Sequence, residues 1–169
     1  MERRTRNRIC IYIIFFGLIN YIGYGVVYAY IQGDARNGGI EKSPDGRILY
    51  YVRGHHITHG VSGKENYVSP AVWVYSYIHS ISLWPTHAAI LISMFILARP
   101  HIIATMKEDA WLRGTTFVTV CLTLIVLIAG TTSVWFLFDF VRKLRVAFAG
   151  GLLLVLGPFL ALQPLAAAG

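Results

Sequence analysis

The sequence predicts an all-α integral membrane protein: a four-transmembrane-helix bundle with a small extramembrane β-hairpin between helices 1 and 2. Three observations predict it. Of 169 residues, 56% are hydrophobic and only 14% charged, with a mean hydropathy of +0.57, too little polar surface to cover the apolar surface in water. Four long stretches contain no Asp, Glu, Lys or Arg at all. The 15 Lys+Arg against 8 Asp+Glu, a formal net charge of +7, gather largely at the ends of those stretches, where basic side chains set topology and anchor to lipid headgroups. This pattern excludes a disordered chain, a collagen-like repeat and a soluble globular enzyme. The chain 1–169 reads as a single membrane domain.

The first helix is expected over 9–30. Its 22 uncharged residues follow the basic head Arg3, Arg4, Arg6 and Arg8, enough to cross a hydrocarbon core ~30 Å thick. A cleaved signal peptide, with Val27-Tyr28-Ala29 as its cleavage site, is the rival reading. Residues 31–69 hold nine of the 23 charges and are too long for a minimal connection, so they form a small element outside the bilayer. Asp34 to Gly39 and Ser43-Pro44-Asp45-Gly46 carry turn chemistry. The β-branched and aromatic residues of 47–58, paired with Asn66-Tyr67-Val68, make the hairpin.

Ser69-Pro70 is a helix start, with a capping hydroxyl followed by a proline at the first helical position. The second helix, 70–98, is expected to kink at Pro85 and to stop at Arg99-Pro100. A short basic loop with Trp111 as an interfacial anchor leads to a third helix over 115–138. Asp139, Arg142, Lys143 and Arg145 mark the end of that helix. The uncharged stretch 146–169 is long enough for a fourth, although Gly157-Pro158 and Pro164 interrupt it. Tyr30, Tyr67 and Trp73 fall near predicted interfaces and read as further anchors. Placing the N-terminus in the cytoplasm, in a cell or inner membrane, puts 31–69 on the opposite side. It also puts Arg142, Lys143 and Arg145 outside, against the positive-inside tendency.

Common catalytic signatures are absent. There is no Cys-x-x-Cys, Gly-x-Ser-x-Gly or His-Glu-x-x-His and no phosphate-binding glycine loop, so the reading leans away from an enzyme. Cys10 and Cys121 lie in or beside apolar runs and behave as small hydrophobes. The polar residues at bilayer depth are the best functional pointers, because each is costly in lipid unless satisfied. His79, Ser82, Thr86 and Ser93 share one face of the second helix, with Ser80 and His87 beside it. On the first helix Gly17, Asn20, Tyr24 and Tyr28 make a face that is small at its start and then polar-aromatic. Asn20, Tyr24, His79 and His87 are therefore the candidate cofactor-binding residues for a quinone or a haem; interhelical packing is the competing reading. His79 and His87 lie ~12 Å apart along one helix at about 1.5 Å per residue, which one haem iron cannot bridge. A haem would need a partner chain or a second copy.

His55, His56 and His59, between Gly54 and Gly60, are the candidate metal ligands. A helical turn would bring His55 and His59 together, whereas a strand would separate them by ~13 Å. Thr116, Thr119 and Thr123 form a stripe read as packing. No carboxylate falls within a predicted span, which disfavours a proton-coupled transporter. The favoured function is a non-catalytic accessory, structural or assembly subunit of a membrane complex, with no cofactor of its own. Its partners are the lipid bilayer and other integral membrane proteins or a second copy, and not nucleic acid. The alternatives are a redox subunit contacting quinone or haem, and a metal- or pH-responsive protein using the histidine loop.

Overall fold

The structure, a computed structural model, describes residues 2–54, 64–106 and 113–160, with side chains described as far as Arg145. In chain order it contains α1 (Arg3–Ile31), β1 (Asp34–Lys42), β2 (Ile48–Arg53), β3 (Glu65–Val68), α2 (Pro70–Thr105) and α3 (Gly114–Leu160). Arg3–Ile31, Pro70–Thr105 and Gly114–Arg145 are long and apolar enough to cross a membrane. A helix that is apolar all round has no aqueous face to present, and in lipid it satisfies its own backbone.

Three helices, not four, are present among the described residues. The predicted break between 138 and 146 is absent because Asp139 to Arg145 holds no proline or glycine to interrupt the helix. Lys143 pairs with Asp139 one turn away at 3.3 Å, so the helix continues through the charged stretch to Leu160. Likewise α2 does not stop at Arg99-Pro100 but runs on to Thr105. A proline removes one donor from the ladder, and the helix carries on to its last turn, where Met106 N donates to Ile102 O at 3.0 Å. The start of α2 is as read from the sequence, with Val72 N donating to Ser69 Oγ at 3.3 Å and Trp73 N to Ser69 O at 3.0 Å.

Two compact units are distinguishable. The first comprises Met1–Val27 and Ile78–Phe136, and its described secondary-structure elements are helices. Its contacts use small or adaptable residues: Gly17, Cys10, Ala88, Ser93, Val118 and Ala129 are buried, while large apolar side chains such as Phe16 and Ile22 face outward. A Cβ on Gly17 would lie 2.6 Å from Ile90 Cγ1, so glycine is what lets α1 approach α2 there.

The second unit comprises Tyr28–Tyr77 and Leu137–Gly169. It holds an antiparallel sheet of order β1-β2-β3, in which Ile40 faces Tyr50 and Tyr51 faces Tyr67. The β2–β3 pairing is the hairpin expected from the sequence. β1 is the unforeseen strand, since Asp34 to Gly39 carries turn residues. They form a bulge in which the register slips between Asp34 and Gly39, and a Cβ on Gly38 would lie 2.0 Å from Tyr51 O. The turn at Ser43 is as expected, closed by Gly46 N to Ser43 O at 2.9 Å and by Ser43 N to Arg47 O at 2.8 Å. There the Ser43 side chain hydrogen-bonds Asp45 and holds its carboxyl below the usual carboxylate range.

Trp73 is not an interfacial anchor. It is fully buried with Tyr77, Val52 and Ala35. Its ring meets Tyr50 at 5.8 Å, Tyr77 at 5.2 Å and Phe140, nearly parallel, at 6.2 Å. Tyr30 and Tyr67 are exposed.

α1 ends in a Schellman turn with Gly33 N donating to Tyr28 O at 3.0 Å. The residue that must turn left-handed is Gln32, at φ 60°, where an L side chain is strained. Gln32→Gly is expected to stabilise the chain by about 0.5–1 kcal/mol, read as a shift in the midpoint of unfolding in mixed micelles.

A pH effect arises on the sheet. Tyr67 OH donates to Glu41 Oε1 at 2.6 Å. That hydrogen bond first, with smaller effects of burial and of the Glu41 and Glu65 charges, raises the phenol above its ordinary value of 10.0. A raised folded-state pKa means the contribution is intact below the unfolded value and is lost as pH rises through the folded one. Tyrosine Cζ NMR should therefore show Tyr67 ionising above its ordinary value, and Tyr67→Phe should lessen the alkaline loss of stability.

Candidate functional sites of the helices

In the helical unit, α1 and α2 bring Asn20, Tyr24 and His79 together. Asn20 Nδ2 donates to Thr86 Oγ1 at 3.1 Å, and Thr86 Oγ1 in turn donates to Ser82 O at 2.8 Å. Ser82 Oγ donates to His79 O at 2.7 Å, and His79 Nε2 lies 3.3 Å from Asn20 O. The Tyr24 ring meets the His79 ring edge-on at 5.5 Å. The polar stripe is thus turned on the neighbouring helix, and its hydroxyls and amide are bonded to one another or to backbone carbonyls. Such interhelical networks fix helix register.

His87 does not join them. Its ring stands edge-on to Tyr21 at 5.1 Å, and Nδ1 lies 3.3 Å from Leu83 O. A carbonyl at that position accepts from Nδ1–H, so the neutral imidazole presents Nε2 as an acceptor. His87 is exposed at the side of a groove of about 300 Å³ whose other walls include Leu83, Trp84, Leu91 and Ile125. The groove is apolar apart from this one imidazole, and it lies near the midpoint of Pro70–Thr105.

The second unit holds a polar cluster that the sequence did not announce. Lys143 Nζ donates to Arg36 O at 2.8 Å and to Gly38 O at 3.3 Å, and it pairs with Asp139 Oδ2 at 3.3 Å. Three donors meet three acceptors. Tyr77 OH donates to the same Asp139 oxygen at 2.5 Å, and the ammonium stands 5.2 Å from the Tyr77 ring centre. Buried Asp34 accepts from Asn37 N at 2.8 Å, and Ala35 N donates to Ser76 Oγ at 3.1 Å. The arrangement is a clasp on the β1 bulge, in which Lys143 of α3 satisfies the carbonyls of Arg36 and Gly38 and Ser76 of α2 accepts from Ala35 N. Asp139 and Lys143 at i and i+4 were the only local signal for it. The carboxylate that sequence reasoning placed at a boundary lies within the third candidate span, Gly114–Arg145.

The histidine loop, His55, His56 and His59, lies outside the described residues. Among the described residues no three metal-ligating side chains converge. Cys10 and Cys121 are both free thiols. Comparison of the chain with protein-family models, with curated proteins and with solved structures gives no match.

Proposed function

We propose that this chain is a non-catalytic accessory, structural or assembly subunit of a membrane complex, with its N-terminus cytoplasmic and residues 31–69 on the opposite side. The observation that carries this reading is the hydrogen bonding of the polar stripe across the contact of α1 with α2. Asn20, Thr86, Ser82 and His79 hydrogen-bond among themselves and to backbone, as packing residues do, while large apolar side chains face outward from every span. Phe16 is 63% exposed, Ile22 65%, Trp135 66% and Phe138 71%. Lipid covers some of these, and a partner helix is proposed to cover others. A photocrosslinker placed singly at these four positions in native membranes tests the idea. A protein adduct of fixed mass at one or two positions is expected, and lipid adducts alone at all four would remove the reading. An adduct of twice the chain's mass would identify the partner as a second copy.

A second reading has one observation in its favour. His87 lines an apolar groove at mid-span with Nδ1 against Leu83 O, so that Nε2 is the nitrogen to accept from the hydroxyl of a quinol ring. Protein purified in mild detergent from its native host should then carry a redox-active absorbance that is lost in His87→Ala, and a colourless, quinone-free sample would sink it. The metal- or pH-responsive alternative rests on the sequence of His55, His56 and His59 alone.

A further inference from the structure

We propose that the cleft formed by Arg6, Arg99 and the start of α3 binds the phosphate of an anionic phospholipid headgroup, with an acyl chain lying on the apolar floor below. The cleft, about 610 Å³, lies wholly within the helical unit. Its lining includes Arg6 and Arg99 together with the apolar residues Ile96, Val118 and Leu122.

Charge is the first argument. Arg6 Nε is buried and has no hydrogen-bond partner. The ion pairs found among the described residues are Arg47–Asp45, Arg53–Glu65 and Lys143–Asp139, so neither arginine of the cleft meets a carboxylate there. A cleft with two guanidiniums and no acid among the described residues lacks an anion. Planar guanidinium forks fit phosphate oxygens well.

The helix terminus adds to this. α3 begins at Gly114, with Phe117 N donating to Arg113 O at 2.9 Å as its first turn and no acidic residue in that turn. The N–H groups of the first residues have no acceptor within the helix, and they carry the positive end of the dipole of a 47-residue helix. Thr115 of that turn lines the same cleft.

Depth selects a lipid over a soluble anion. Arg6 lies 11 residues from Gly17, the midpoint of Arg3–Ile31, which is ~17 Å along the axis at about 1.5 Å per residue. Arg99 lies a similar distance from the midpoint of Pro70–Thr105. Half of a hydrocarbon core is ~15 Å, so both guanidiniums sit at phosphate level. Ile96 and Leu122 lie further toward mid-span on their helices, where an acyl chain would run. Basic pockets between transmembrane helices are a recognised way of holding anionic headgroups.

The test is native mass spectrometry of the full chain released from mixed nanodiscs of palmitoyl-oleoyl phosphatidylglycerol and phosphatidylcholine. A bound phosphatidylglycerol should be retained over phosphatidylcholine by about tenfold, the worth of one or two charge-assisted contacts. Arg6→Gln/Arg99→Gln should bring that preference to near one. Arg99→Gln alone, at an exposed position and so without risk to folding, should lower it several-fold. Arg3→Gln/Arg4→Gln removes the same charge outside the cleft and should leave the preference in place. Equal loss in both double variants would show diffuse surface attraction and overturn the site. Equal binding of millimolar inorganic phosphate, with full displacement of the lipid, would make it a site for a free anion and overturn the lipid assignment. A preference that appears only in Glu108→Gln/Asp109→Asn would mean that the chain's own carboxylates take the arginines, and would overturn it too.

Discussion

Lys143→Met is expected to destabilise the chain by about 2–4 kcal/mol, through loss of a charged group and of the hydrogen bonds it makes. The methionine matches the stem of lysine and keeps its packing, so the effect reports the ammonium alone. Without it, the carbonyls of Arg36 and Gly38 lose a donor and Asp139 loses its ion pair while keeping its hydrogen bond from Tyr77. The Lys143 side chain is 24% exposed and the Asp139 side chain 37%. Water therefore softens the loss, and the expectation sits below the full cost of breaking a buried pair. Asp139→Asn added to Lys143→Met should recover part of the stability, since it removes the carboxylate left without its cation. Steric-trap unfolding in bicelles would measure both. A Lys143→Met variant within 0.5 kcal/mol of the parent, roughly the scatter of surface substitutions, would show that the clasp is not structural. The same loss should loosen the β1 bulge, visible as faster amide exchange at Asn37 to Gly39.

The positions of the three helices long and apolar enough to cross a membrane were legible because each holds a long charge-free run. The ends were not. Arg99-Pro100 and Asp139 to Arg145 look like stops when read locally, yet proline lacks only one donor and charged side chains near a helix end can find partners elsewhere in the fold. Lys143 and Arg36 are separated by 107 residues, beyond the reach of any spacing rule. β1 was hidden for a related reason. Asp34, Asn37, Gly38 and Gly39 are poor strand formers, and their place in the sheet is fixed by Tyr51 beneath Gly38 and by Ser76 and Lys143 from the helices. The Asn20–Thr86–His79 network was half legible. Helical periodicity put His79, Ser82 and Thr86 on one face and Asn20 with Tyr24 on another, but it could not say that the two faces meet while His87 turns to Tyr21.

Trp73 tests how much of the second unit rests on a single side chain. It is fully buried, and three aromatic rings surround it. Trp73→Ala should cost about 3–5 kcal/mol, the transfer term plus the cavity left among rings that cannot all collapse inward. Trp73→Phe should cost far less, within about 1.5 kcal/mol. Part of the reason is volume, since phenylalanine keeps the ring contacts. The rest is the indole N–H, which is buried and has no hydrogen-bond partner. A buried donor without an acceptor is a standing penalty of about 1–3 kcal/mol, and phenylalanine removes it along with the lost carbon contacts. The two variants, compared by the same steric-trap assay, separate packing from hydrogen bonding. A Phe variant as damaged as the Ala variant would mean that the indole nitrogen meets an acceptor, a bound water or a partner, when the protein sits in its membrane.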